Sequence, residues 1–226
     1  MNHELLDRTP ESIINQHGET IALRFEVSDL LEQHLGLDWQ AQFERLVGEQ
    51  GKITPHTAED PTCRETNPKD SFLLMKLDGQ QVLHTIPDFW ELYQGDFRDM
   101  MQRALPVDSE QMKTYEEENA RDCLEVLSQL APPDDAANRS DTKHYRLDAH
   151  VDQRYSAILC IKAPTLGSGG RLVISNRPEA VGLDTINQDA TFVQHKEGTV
   201  ICFPMGLKLP HYTEPIQKGD VRMVIS

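Results

Sequence analysis

Hydrophobic positions along the chain fall into two textures. IALRFEV (21–27) places apolar residues at strand spacing and reads as a short strand. Ser28 and Asp29 follow with N-cap chemistry, and Glu32 stands three residues after Asp29, the capping-box spacing. Two helical pieces are expected next, broken near Gly36 and resuming from Asp38 to about Glu49. Segment 50–70 mixes Pro, Thr and charges without periodicity and reads as a long loop. SFLLMKL, Asp78-Gly79 and QQVLHTI predict a hairpin, because Asp-Gly suits the positive φ angles of a type I′ turn. Pro87 suits the first turn of a helix running to about Leu105. A further helix over roughly 109–131 is indicated by Met112, Tyr115, Cys123, Leu127 and Leu130 at intervals of three and four.

PPDDAANRSD (132–141) interrupts all periodicity. Beyond it come short β-rich runs, KHYRLDAH, RYSAILCI, RLVIS, ATFVQH, GTVICF and VRMVIS, separated by Gly, Pro, Asn and Asp. Many short strands at this spacing indicate a sandwich or barrel. The fold class expected is mainly β with N-terminal helices. Residues 1–19 read as a loosely attached tail and 20–226 as one domain, with 20–142 a helical and hairpin support and 143–226 the β core.

Composition narrows the function. With 22 basic and 37 acidic residues among 226, the formal charge is −15, which argues against a protein that tracks a phosphate backbone. No run of 18 apolar residues exists, and the N-terminus lacks the basic and apolar regions of a secretory signal, so a cytoplasmic protein is expected. Cys63, Cys123, Cys160 and Cys202 form no C-x-x-C pair, and Cys160 and Cys202 sit in apolar runs as core thiols.

The candidate chemistry begins at His150-Val151-Asp152, which ends a strand-like run. Residues two apart on a strand face the same way, so this imidazole and carboxylate converge. His211 lies just after VICFP, and Arg222 follows eleven residues later within the last strand-like run. Two imidazoles and a carboxylate make a facial triad with open positions, a set that favours non-haem Fe(II) oxygen chemistry. An arginine nearby offers a planar charged fork for a carboxylate. His17-Gly-Glu19 and His195-Lys-Glu197 have similar spacing but lack these surroundings, and His195 is expected at the surface.

The order H-x-D, then Gly169-Gly170-Arg171-Leu172, then Gly198 to Phe203-Pro204, then HYTEPIQKGDVR (211–222) resembles the Fe(II)/2-oxoglutarate-dependent dioxygenases, in particular their prolyl-hydroxylase-like branch. The similarity covers about residues 143–226, and His211, Pro215, Gly219 and Arg222 are its most specific part. It implies a double-stranded β-helix (jelly roll) with Fe(II) at the mouth, held by His150, Asp152 and His211. Arg222 would bind the distal carboxylate of 2-oxoglutarate, and the reaction would consume O2 and release succinate and CO2. Where prolyl hydroxylases place a co-substrate tyrosine, this chain has Ile161, and Tyr145 is the candidate substitute. Two residues past Arg222 stands Val224, where many relatives carry serine. The chain stops four residues after Arg222, early for the family, so a trimmed C-terminus is expected. Asp152 favours hydroxylation over halogenation, since halogenating relatives carry a small residue there.

For the substrate, the favoured reading is an unactivated C–H bond of a small molecule, such as a free amino acid or a natural-product intermediate. A residue within a peptide or protein is the second reading, and a non-catalytic binding or sensing protein that keeps the fold is the third. Neither nucleic acid nor membrane is expected as a partner. Arg171 is a candidate for a substrate carboxylate, set against a solvated strand charge. His144 reads as structural or exposed, and His56, Arg64 and Glu65 as solvated loop residues within reach of a polar substrate.

Overall fold

The computed structural model describes residues 9–56, 71–78, 82, 84–97, 125–129, 147–151, 156–203 and 208–226. Twelve strands lie among them: β1 (Glu11–Ile14), β2 (Thr20–Glu26), β3 (Lys52–His56), β4 (Ser71–Asp78), β5 (Glu125–Gln129), β6 (Leu147–His150), β7 (Ser156–Lys162), β8 (Leu172–Ser175), β9 (Ala190–Val193), β10 (Thr199–Phe203), β11 (His211–Thr213) and β12 (Arg222–Ile225). They form an eight-stranded sheet in the order β1-β2-β10-β7-β12-β5-β4-β3 and a four-stranded sheet in the order β6-β11-β8-β9. Every pairing between these strands is antiparallel. The helices are α1 (Ser28–Leu35), α2 (Trp39–Gln50), α3 (Pro87–Leu92), which widens into a π-helical turn over Tyr93–Phe97, and α4 (Leu183–Gln188).

Strand alternation sorts the side chains into three apolar layers. Leu159, Ile161, Val200, Cys202, Met223 and Ile225 leave one face of the large sheet to pack on Leu30, Leu31, Phe43, Leu46 and Phe89 of the helices. On the other face, Ile158, Ile201 and Val224 meet Leu172, Ile174 and Val193 of the small sheet. The outer face of the small sheet buries Ala149, Val173 and Tyr212 against Ile186 of α4. The period of two in each strand therefore decides which residues line the space between the sheets.

Several expectations are corrected. Residues 11–14, expected in the tail, form β1 and pair with β2. Residues 52–56, expected in a loop, form β3 at the sheet's edge, where Pro55 sits beside a register shift, and a sheet edge is where a strand tolerates proline. The Asp78-Gly79 hairpin does not form: β4 pairs with β3 and β5, so both its edges are occupied, and residues 82 and 84–85 are helical instead. Residues 125–129 are β5 rather than helix, inserted between β12 and β4, where pairing on both sides outweighs a helical spacing of leucines. The rest of that helix (109–124), residues 98–105 and the 132–141 break lie outside the described residues.

α1 and α2 meet at Gly36 as expected, its φ of 89° ending α1. No side chain caps α1, however. Ser28 instead donates to Glu26 Oε1 at 2.6 Å, and Val27 N–H donates to the Gly198 carbonyl at 2.8 Å. Gly198, at φ 67°, comes so close that a Cβ there would lie 2.0 Å from Ser28 Oγ. The start of β10 is thus locked against the start of α1.

Candidate active site between the two sheets

His211 and His150 are directly opposed in the β11–β6 ladder, and their ring centroids lie 4.4 Å apart at 57°. Tyr212 belongs to the outer layer, so His211 and Thr213 on either side of it face inward. His211 is 3% exposed, and its Nδ1 lies 3.0 Å from the Leu209 carbonyl. That contact fixes Nδ1 as the protonated nitrogen and turns the lone pair of Nε2 the other way, the arrangement common to metal-binding imidazoles.

β11 owes its position to the glycine pair before β8. Gly169 (φ 85°) bridges Ile216, and Gly170 N–H donates to the Pro215 carbonyl at 3.1 Å. A Cβ on Gly169 would stand 2.1 Å from Pro215 O. Only glycine admits both that backbone and that approach. The segment after His211 is therefore clamped to the start of β8.

Arg222 enters from the opposite sheet. It shares a strand face with Val224 of the inter-sheet core and stands opposite Gln129 of β5. Gln129 Nε2 donates to the Glu214 carbonyl at 2.7 Å, joining the large sheet to the segment after β11. Arg222 is 2% exposed, and its Nε is buried without a hydrogen-bond partner among the described residues. Burial pulls the guanidinium down to about 10, so it stays charged at neutral pH. Cys160, two residues from the inter-sheet Ile158, has its thiol pushed up by burial to about 12 and is neutral.

The remaining expectations divide. Asp152, Tyr145, His144, Arg64 and Glu65 lie outside the described residues, as does the side chain of His56. Among the described residues no three His, Cys, Asp or Glu side chains converge. Arg171 is not brought to the histidine pair. Its Nε and Nη2 each donate to Glu214 at 2.7 Å, and it covers the Phe192 ring at 4.6 Å, on the outer side of the small sheet. His195, expected at the surface, is instead 3% exposed. Its position continues the inward alternation of Thr191 and Val193, a signal present in the sequence but masked by the polar neighbours Gln194, Lys196 and Glu197. Thr213 Oγ1 is also buried there without a partner among the described residues.

No family model matches the sequence. No curated protein matches it either. Solved structures do. SnoK, a non-heme alpha-ketoglutarate-dependent carbocyclase from nogalamycin biosynthesis, superposes with a TM-score of 0.52 at 11% identity, over 89% of this chain and 77% of its own. SnoN, the corresponding epimerase, gives 0.51 at 9% identity, over 90% and 75%. The chain shares its fold with the Fe(II)/2-oxoglutarate-dependent oxygenases. NgTET1, solved in complex with 5mC DNA, gives a TM-score of 0.51 at 12% identity, over 96% and 75%. No described helix is long and apolar enough to cross a membrane.

Proposed function

We propose that this chain is a single-domain, Fe(II)- and 2-oxoglutarate-dependent dioxygenase that hydroxylates an unactivated C–H bond of a small molecule. In this reading the two sheets are the halves of a double-stranded β-helix, a jelly roll. The observation that carries it is the inward-facing His150–His211 pair on one sheet with the buried, charged Arg222 on the other. The donor chemistry fits the implied groups. Two imidazoles, one of them held by its Nδ1, suit a divalent iron, with Asp152 the proposed third ligand. Arg222 has a buried N–H without a partner among the described residues, and a carboxylate would satisfy it.

Iron and 2-oxoglutarate, when bound, supply the oxidising power: with O2 they yield succinate, CO2 and one hydroxyl on the substrate carbon. The protein's own residues orient and exclude. His150 and His211 on one sheet, together with Asp152, would hold the metal, and Arg222 on the other would draw the distal carboxylate of 2-oxoglutarate toward it. The apolar layer of Ile158, Ile174, Val193 and Val224 keeps water from the space between them. A natural-product substrate accords with the nogalamycin-pathway neighbours SnoK and SnoN. The charge of −15 does not suit a DNA substrate of the kind seen with NgTET1.

Anaerobic titration with Fe(II) and then 2-oxoglutarate tests the site, through the weak visible charge-transfer band of a metal–2-oxo-acid chelate. The band should form in wild type, disappear in His211→Ala, and need excess 2-oxoglutarate in Arg222→Met. Iron binding without any band in wild type would reject the co-substrate assignment.

A further inference from the structure

His195 is the least comfortable side chain in the described structure. It is 3% exposed, and both its ring nitrogens are buried without a hydrogen-bond partner among the described residues. A neutral imidazole carries one donor and one acceptor, and leaving both unmade in a protein interior calls for an explanation. Its surroundings are cationic. The charges of Arg222 and Arg24 both act on it, and with burial they keep the ring neutral. Arg24 pairs with Glu11 Oε2 at 3.1 Å and donates to the Gln194 carbonyl at 2.9 Å, although its Nε, like that of Arg222, is buried without a partner among the described residues. No ion pair to Arg222 is present among the described residues, and the nearby Cys160 thiol is neutral. A buried neutral donor within the field of a buried cation that has no ion pair among the described residues suits an anion bound between the sheets.

We propose that His195 is a second ligand for the distal carboxylate of 2-oxoglutarate, donating one ring N–H to the anion that Arg222 draws between the sheets. The inference rests on the co-substrate reading of Arg222 given above. It explains why the segment leaving β9 keeps the inward alternation past Val193 with an imidazole rather than an apolar residue. It also gives the pocket a contact that a 2-oxo acid without a distal carboxylate cannot use.

The test uses the Mn(II)-loaded full chain and two probes, 2-oxoglutarate and 2-oxobutyrate, the latter lacking the distal carboxylate. Affinities are measured anaerobically for wild type, His195→Leu, His195→Asn and Arg222→Met, with thermal melting of each metal-free protein. In His195→Leu, affinity for 2-oxoglutarate should fall about tenfold, the scale of one lost hydrogen bond to a charged group, while that for 2-oxobutyrate stays unchanged. The metal-free melting temperature should hold or rise, because an unpaired buried ring has been removed. His195→Asn, which keeps an N–H donor, should retain most of the affinity.

Equal losses for both probes would make His195 a packing residue and overturn the proposal, as would no loss at all. If wild type fails to prefer 2-oxoglutarate over 2-oxobutyrate, the co-substrate reading itself falls. If Arg222→Met abolishes that preference and His195→Leu preserves it, only the role of His195 is refuted.

Discussion

Gly169→Ala and Gly167→Ala form a matched pair that tests how the histidine-bearing strand is held. Both glycines have positive φ, 85° and 92°. A Cβ at Gly167 would meet nothing within 4 Å, whereas at Gly169 it would lie 2.1 Å from the Pro215 carbonyl oxygen, which is backbone and cannot swing aside. The conformational penalty of an L-residue in the left-handed region is on the order of 1–2 kcal/mol and should be shared by both variants. Forcing the Pro215–Ile216 segment away adds about 1–3 kcal/mol at Gly169 alone. For a chain of this size each kcal/mol lowers Tm by roughly 2–4 °C, so Gly167→Ala should melt about 5 °C lower and Gly169→Ala about 10 °C lower. Urea denaturation measures both differences, and Mn(II) affinity shows whether the damage reaches His211. Equal destabilisation of the two variants would refute the clamp, since it would leave only the shared φ cost.

Three further outcomes follow from the buried titratable groups. Arg222→Met should raise the metal-free Tm while abolishing the stabilisation that 2-oxoglutarate confers. Pulling the guanidinium down to about 10 by burial corresponds to a cost on the order of 3 kcal/mol, less what the smaller side chain loses in packing. The sign follows from a depressed basic group: it is charged in both folded and unfolded chains at pH 7, and its penalty is relieved only as pH rises above about 10 toward the ordinary arginine range. Asp189 accepts hydrogen bonds from Asn176 at 2.7 Å and from Gln16 at 2.6 Å, and it contacts His17 and Arg177; led by the Asn176 bond, these partners hold its carboxyl down to about 2. Its contribution is present above pH 3.8 and lost as pH falls toward 2, so Asp189→Asn should flatten acid unfolding in that window, as read by circular dichroism against pH. Cys160 should resist iodoacetamide in the native protein at pH 8 and react only on unfolding, as mass spectrometry would show.

The sequence was most legible where one residue's chemistry and its strand parity agreed. His211 and Arg222 stand in runs whose neighbours, Tyr212, Met223 and Val224, pack as alternation demands, and the glycines before Leu172 mark a close backbone approach. It was least legible where tertiary pairing chose between local options. Leu127 fits a helical stripe, yet β5 gains a strand neighbour on each side. Asp78-Gly79 is a hairpin signal, but β4 already has β3 and β5 for partners. Pro55 suggested a loop because the place it suits, a sheet edge, is known only once the sheet is assembled. His195 looked solvated beside Lys196 and Glu197, although Val193 two residues earlier already pointed inward.

The place of β12 in the strand order reaches beyond ligand binding. It is the seam of the large sheet: β1-β2-β10-β7 lie on one side of it and β5-β4-β3 on the other. Among the described residues, neither flank meets the other through a backbone ladder except by way of this strand. Contacts so distant in sequence are slow to form, and until then both flanks present open edges to other chains. The strand carrying Arg222 thus also joins the two flanks of the large sheet. A ligand drawn to that arginine would favour the joined sheet over forms in which its inner edges are open.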